Sequence, residues 1–368
     1  MNDENASPDS EGLRDCGASV NGCLLLARRG RSDYRIVLSK TASATEKRAA
    51  EELQRFLREI SGAVLPIVTD DEPLTGHEIV LGNNRHLAEL KTKIDFAALG
   101  EEGFTLRTVG PHLVIAGGPV RGTLYGVYTF LEEYLGCRWL SSKVSSIPRQ
   151  EEITIGPVDN TQTPVLAYRE VYYSDAMDPD FAARHKLNGN ASLIENGRMR
   201  EKHRGWGGWF CHTLYVQVPF DHFETHPEYF PLVNGKRVPN SQLCLTNPDV
   251  FKLVVGYLKE HMAEDPEAHY WSVSQGDTVD GYCQCPDCRA IDEREGTPMG
   301  SLLEFVNRVA AEFPDKTIST LAYLYSRRPP KTLRPAPNVQ IMLCNIECNR
   351  SRPLATALGR IHNRTMCN

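Results

Sequence analysis

The sequence predicts an α/β protein: a small α+β domain followed by a (β/α)8 TIM-type barrel that is incomplete at its C-terminal end. Three observations predict it. Residues 34–160 hold strand-length apolar segments, two amphipathic helices and one tight hairpin. From Leu166 onward, six strand candidates alternate with helices long enough to serve as crossovers, which makes the strands parallel. Pro148 to Pro164 lies between the two patterns and reads as a linker. With 368 residues the chain suits two domains, each large enough to bury a core.

The elements follow in order. Residues 1–33 are polar and acidic at their start and read as a disordered lead-in. Tyr34 to Leu38 is a strand. Ser43 and Glu46 match a capping box, and Ala49, Leu53, Phe56, Leu57 and Ile60 then recur at helical spacing until Gly62. Short strands at Leu65 to Thr69 and Glu78 to Leu81 follow. Phe104 to Thr108 and His112 to Ala116 flank Gly110-Pro111 as a hairpin. Arg121 to Leu135 is a helix with Leu124, Val127, Tyr128, Leu131 and Leu135 on its buried stripe. The expected result for 34–160 is two helices on a mostly antiparallel sheet, a support domain without chemistry. For the barrel of 161–368, strands are expected at Leu166 to Tyr173, Cys211 to Val218, Gln242 to Leu245, Tyr270 to Ser274, Thr317 to Tyr325 and Val339 to Cys344. Helices are expected at Pro248 to Ala263 and Met299 to Phe313. Six strands fall short of eight, so the barrel is expected to be truncated.

Composition narrows the function. A net charge of −6 argues against a nucleic-acid surface, which shows as a basic excess. No apolar run approaches the ~18 residues of a membrane span. The N-terminus lacks the basic and apolar regions of a secretory signal, so the chain reads as cytoplasmic as written, and as secreted or periplasmic if the true start lies upstream. There is no G-x-G-x-x-G, no P-loop and no G-x-S-x-G elbow.

Four constellations carry possible chemistry. Tyr270-Trp271-Ser272-Val273-Ser274-Gln275-Gly276-Asp277 is an apolar strand running into a carboxylate, and strand ends are where barrel active sites are built. The alternative is an Asp that merely turns the loop. Gln340 to Glu347 repeats the pattern two strands later, against the alternative of a surface Glu. A pair of carboxylates at strand ends is what glycoside hydrolysis needs: one protonates the leaving oxygen, the other activates water or attacks the sugar. Cys283, Cys285 and Cys288 form a C-x-C-x2-C cluster that offers three thiolates to a structural zinc, with the fourth ligand to come from Cys244 or a His such as His212. Three reduced cysteines, or one disulfide plus a thiol, are the other readings. Trp206, Trp209, Phe210, His212, Tyr215, His222, His226 and Tyr229 form an aromatic and histidine-rich stretch suited to stacking on sugar rings. Arg169 and Glu170 intrude into the first barrel strand, either to position a polar or anionic substrate or to form a buried ion pair.

These residues also carry a resemblance. KRAAEELQRFLREISGAVLPI and RGTLYGVYTFLEEYLGCRWL resemble the domain that precedes the barrel in family 20 hexosaminidases and family 67 alpha-glucuronidases. QLCLTNPDV, and Ser274-Gln275-Gly276-Asp277-Thr278 in the place of Gly-Gly-Asp-Glu, are similar to the hexosaminidase pattern. HPEYFPLVNGKR, QLCLTNPDV, GYCQCPDC and IMLCNIEC together resemble the DUF4838 group of glycosidase-like proteins, over residues 34–350. The resemblance implies a carbohydrate-active enzyme acting on an oligo- or polysaccharide, with no required cofactor. Thr278 stands where the hexosaminidase general acid would be, so that mechanism does not carry over. Asp277 is then expected to be the general acid, held protonated by burial or a neighbouring negative charge. Glu347 would be base or nucleophile, with Asp280 in reserve. Arg169, His212, Tyr282, Tyr323 and Asn345 would hold the sugar, and an anionic sugar is expected from Arg169 and the glucuronidase-like domain. The alternatives are a degenerate carbohydrate-binding protein on this scaffold, and a zinc-dependent hydrolase using the Cys cluster.

Overall fold

A computed structural model describes residues 22–189, 206–240, 242–346, 349 and 351. The chain divides into two compact units, Met1–His203 and Arg204–Asn368.

In the first unit the helix Ala44–Ser61 forms where its apolar spacing and caps require. The Glu46 N–H donates to the Ser43 hydroxyl, and the Glu46 carboxylate accepts the Ser43 N–H at 2.8 Å. Gly62 closes the helix at φ 80°, a left-handed conformation that costs glycine nothing, and donates to the Arg58 carbonyl. The six-stranded sheet runs Asp159–Gln162, Phe104–Val109, His112–Gly117, Glu78–Leu81, Arg35–Leu38, Ile67–Thr69. Its first two pairings are antiparallel and its last three parallel, so the sheet is mixed and not mostly antiparallel. The Ala44–Ser61 helix is the reason at one end: it returns the chain to the edge it left, and Arg35–Leu38 and Ile67–Thr69 pair in parallel. The Gly110-Pro111 hairpin forms as expected. The second helix, Gly122–Thr129, continues into a π-helical turn, Phe130–Tyr134.

The expected lead-in is partly ordered. Leu24–Arg28 is a strand paired with Glu152–Ile155, because Leu24, Leu26 and Ala27 are apolar and bury into the core. Residues 1–21 lie outside the described residues.

The second unit is built on a four-stranded sheet in the order Trp206–Gly207, Tyr270–Ser272, Thr317–Ala322, Val339–Leu343, with every pairing parallel. Three helices serve it: Pro248–Glu264, Pro286–Glu295 and Met299–Ala311. Asn247 caps the first by accepting the Asp249 N–H at 2.8 Å, with Pro248 in the first turn. Val254, Leu258, Trp271, Phe305, Val306 and Ile318 form the centre of its core. Among the described residues the sheet has four strands and does not close on itself.

Three strand expectations fail, each for a local reason. Leu166 to Tyr173 is irregular and belongs to the first unit; the Arg169 carbonyl accepts from the N–H groups of Asn188 and Gly189, so its ladder partner is a turn. Cys211 to Val218 is a turn followed by the short helix Leu214–Gln217, because His212 sits at φ 54° and the N–H groups of Thr213 and Leu214 donate to the Ser274 carbonyl. Gln242 to Leu245 is irregular, tied down by the Gln242 side chain.

Candidate functional site

The four strands of the parallel sheet point the same way, so their C-terminal ends share one edge. On it lie His212 after Trp206–Gly207, Asp277 after Tyr270–Ser272, Tyr323 after Thr317–Ala322, and Asn345 after Val339–Leu343. This is the edge at which parallel α/β sheets gather ligands.

His212 and Asp277 meet. The His212 Nε2 is 4.0 Å from an Asp277 carboxylate oxygen, and the His212 ring stands 5.8 Å from the Tyr323 ring. The other ring nitrogen, Nδ1, is 2.8 Å from the Gln275 backbone carbonyl oxygen, so it carries the hydrogen and leaves Nε2 facing the carboxylate. His212 is held at φ 54°, a left-handed backbone that is unusual for a residue with a side chain. The turn is fixed from inside: the Thr213 hydroxyl donates to the Ser272 carbonyl at 2.9 Å, and the Gln217 amide does the same at 2.9 Å.

Asp277 itself is not buried. Its side chain is 67% exposed, and the His212 ring is the group that approaches its carboxylate. The burial expected around it is not found. Burial instead pushes up the Cys211 thiol, with Cys344 and Asp277 adding to the effect.

The loop beyond Asp277 is anchored by residues that sequence reasoning left out. Gln275 is fully buried; its amide donates to the Leu321 carbonyl at 3.3 Å, the Tyr323 carbonyl at 3.4 Å and the Ser326 hydroxyl, which locks the two strand ends together. The Gln275 side-chain oxygen has no hydrogen-bond partner among the described residues. Gln242 donates to the Gly276 carbonyl at 3.1 Å and the Thr278 hydroxyl at 2.7 Å, and accepts from the half-buried Tyr325 phenol at 3.0 Å. Burial raises the Tyr325 phenol well above its ordinary value, which keeps it a donor. The available signal was a pair of glutamines in otherwise apolar segments, since a buried amide needs partners on both ends. Thr278 completes the loop by donating to the Asp280 carbonyl at 2.6 Å.

The other expected residues are distributed. Tyr282 packs beside Tyr325 at 5.1 Å between ring centroids, further along the same loop. Asn345 is exposed at its strand end. Glu347 lies outside the described residues. Arg169 belongs to the first unit, where its guanidinium pairs with the buried Glu102 at 2.5 Å; of its two readings the ion pair is the one found.

Cys283, Cys285 and Cys288 are joined by Cys244, and the four buried sulfurs lie within 4.8 Å of one another. Cys244, and not His212, is the fourth member. No described helix is long and apolar enough to cross a membrane.

Comparison with known proteins places these features. Residues 28–130 match the model of the glycosyl hydrolase family 67 N-terminus. No curated protein matches the chain. Solved structures that resemble it include the N-acetyl-beta-hexosaminidase of Streptomyces plicatus in complex with Thio-NAglucal, at 15% identity and a TM-score of 0.42 over 88% of this chain. A family GH115 4-O-methyl-alpha-glucuronidase with specificity for decorated arabinogalactans gives 16% and 0.45 over 86%. The chitobiase of Flavobacterium johnsoniae gives 12% and 0.45 over 83%. This chain spans 66%, 45% and 51% of the length of those three proteins. Residues 139–365, more than half of the sequence, match the family model described as a domain of unknown function, DUF4838, and the chain belongs to that family.

Proposed function

We propose that this chain is a glycoside hydrolase-like protein that takes an oligo- or polysaccharide at the carboxyl edge of its parallel sheet and cleaves a glycosidic bond. The observation that carries the reading is the convergence of His212, Asp277 and Tyr323 on that edge. The match of residues 28–130 to a glycosyl hydrolase N-terminal domain supports it. On this reading the sheet is part of a (β/α)8-type barrel, Asp277 is the acid and Glu347 the base or nucleophile. The two carboxyl groups would stand about 5–5.5 Å apart in a retaining enzyme or roughly 6.5–9.5 Å apart in an inverting one. His212 would hold the Asp277 side chain in place and exchange its proton with solvent between turnovers. The anionic-sugar reading rests on the family 67 match alone, because Arg169 is occupied by Glu102.

The test is a panel of chromogenic glycosides, N-acetylhexosaminides and uronides included. We expect turnover on at least one, lost by about 10²–10⁴-fold in Asp277→Asn with binding retained. No turnover on any member, or full activity in Asp277→Asn, overturns it.

A second reading, a carbohydrate-binding protein on a degenerate hydrolase scaffold, is favoured by one observation: Thr278 stands at the hexosaminidase acid position, with its hydroxyl committed to Gln242 and Asp280. Binding of oligosaccharides without turnover selects it. The zinc-hydrolase reading fits less well, because four buried thiolates fill a tetrahedral shell and leave no open position for water.

A further inference from the structure

We propose that Cys244, Cys283, Cys285 and Cys288 form a closed, structural tetrathiolate zinc site that positions the Asp277 loop. The inference is independent of any reaction the protein performs.

The sulfurs are placed as one tetrahedral shell. All four lie within 4.8 Å of one another, and Cys244 and Cys285 are 3.7 Å apart. Four sulfurs at about 2.3 Å from one zinc stand about 3.8 Å from each other, so shifts below about 1 Å close the site. All four are free thiols, buried together in a cluster whose one partly buried apolar neighbour is Leu232. A buried thiol by itself packs as a small apolar group, but four that converge on one point with no disulfide among them make a soft ligand set. Zinc suits them better than harder cations, which prefer oxygen.

The surroundings match a thiolate cluster. Binding releases one proton from each thiol and leaves a zinc tetrathiolate with a double negative charge. The Leu232 N–H donates to the Cys283 sulfur at 3.4 Å, and the Arg237 guanidinium lies 3.8 Å from the same atom. The Thr246 hydroxyl is 3.3 Å from Cys288 and 3.6 Å from Cys285. Cys285 and Cys288 also sit at the N-cap and first turn of the ten-residue helix Pro286–Glu295, where the helix dipole favours negative charge. A cation, a backbone donor, a hydroxyl and a helix terminus thus face one group of sulfurs. Nothing in the uncharged thiols calls for this arrangement.

The two segments that the ion would join, and the hairpin beside them, explain what it does. Cys244 is two residues from Gln242, which holds Gly276 and Thr278 from one side. Cys283 is six residues beyond Asp277 in the same loop. The Leu232–Val233 and Lys236–Arg237 hairpin underlies the cysteine knuckle, with the Gln284 N–H donating to the Leu232 carbonyl at 2.7 Å. One zinc would therefore fasten the far end of the Asp277 loop to the segment that carries Gln242, with the hairpin packed against the knuckle.

The full chain, purified without metal-affinity resin or chelator, should contain about one zinc by elemental mass spectrometry. Replacement by cobalt should give the intense visible absorption and thiolate charge-transfer bands of tetrahedral sulfur coordination. Cys244→Ser should lower retained zinc at least about tenfold and lower the melting temperature, while Cys344→Ser, outside the cluster, keeps about one zinc per chain. The metal content and cobalt spectrum of the unmutated chain do not depend on whether a variant folds. A metal-free chain with all four thiols reactive to a thiol reagent after unfolding overturns the proposal. So does a mass showing disulfides among these cysteines, or a cobalt spectrum of oxygen or nitrogen coordination.

Discussion

In the first unit the buried acids are surrounded by cations. Glu52, 1% exposed, meets Arg48 at 3.3 Å, Arg55 at 3.1 Å and Arg184 at 3.2 Å, and the Tyr128 hydroxyl donates to it at 3.1 Å. Glu102 is clasped by Arg121 and Arg169. At the carboxyl edge of the second unit, Asp277 is exposed and has a histidine at 4.0 Å. Glu52 and Glu102 have every oxygen committed to neighbours of opposite charge, which fixes helices to one another and leaves nothing to offer a ligand. Asp277 is held loosely and faces solvent, so a ligand can reach it. The contrast separates charge used as structure from charge kept available.

The largest effect tests the first half of that contrast. Glu52→Gln keeps the shape but leaves three arginines short of a counter-charge, and removing one partner of a buried network costs about 3–5 kcal/mol. Denaturant unfolding should show that loss for Glu52→Gln and a change within about 0.5 kcal/mol for Asp277→Asn, an exposed site. Equal losses in the two variants would erase the distinction.

The same division explains what was legible in the sequence. The Ala44–Ser61 helix was readable end to end because its caps, its apolar spacing and its glycine stop all lie within twenty residues. The strand ends carrying Asp277 and Asn345 were readable for a similar reason: each is an apolar run that ends in a polar residue. For the fourth ligand the sequence offered Cys244 or a His such as His212, and only folding brings Cys244, over a separation of 39 residues or more, to Cys283, Cys285 and Cys288. Arg169 read as a strand residue that either positions substrate or forms an ion pair, since nothing local announces that Glu102, 67 positions earlier, pairs with it. Leu166 to Tyr173 and Cys211 to Val218 had strand composition, but backbone bonds to Asn188, Gly189 and Ser274 overrode it.

A smaller effect sharpens the comparison inside the second unit. Glu295 is also buried, yet its partners are mostly neutral: the Thr332 hydroxyl at 2.6 Å, the Thr332 N–H at 2.8 Å and the Leu333 N–H at 3.0 Å, with Arg294 at 3.0 Å. Those hydrogen bonds, the Thr332 hydroxyl first, lower its carboxyl from 4.5 to about 2. A carboxyl depressed in the folded state stabilises above its unfolded value and loses that contribution as pH falls toward the folded one. The stability gap between the unmutated chain and Glu295→Gln should therefore be full at neutral pH and narrow between about pH 4.5 and about pH 2. A gap that stays constant across that window would mean the hydrogen bonds do not discriminate the charged form.

The smallest expected change in stability is at His212, and it bears most directly on the edge. His212 sits at φ 54°, a conformation that asparagine enters readily and a β-branched residue resists. His212→Asn should therefore keep the unfolding midpoint within about 0.5 kcal/mol, while His212→Val should lose about 1–2 kcal/mol to the backbone alone. The imidazole, however, is what hydrogen-bonds the Gln275 backbone carbonyl, stands 4.0 Å from Asp277 and faces Tyr323. Both variants remove it, so on the proposed function both should weaken carbohydrate turnover or binding by roughly tenfold or more, a loss of the size expected for one hydrogen bond. If the His212→Asn variant bound and turned over sugar as the unmutated chain does, the left-handed backbone would be the whole contribution of this residue. If the His212→Val variant alone failed, the loss would belong to folding. Failure of both at unequal stability is the result that assigns the imidazole to the ligand.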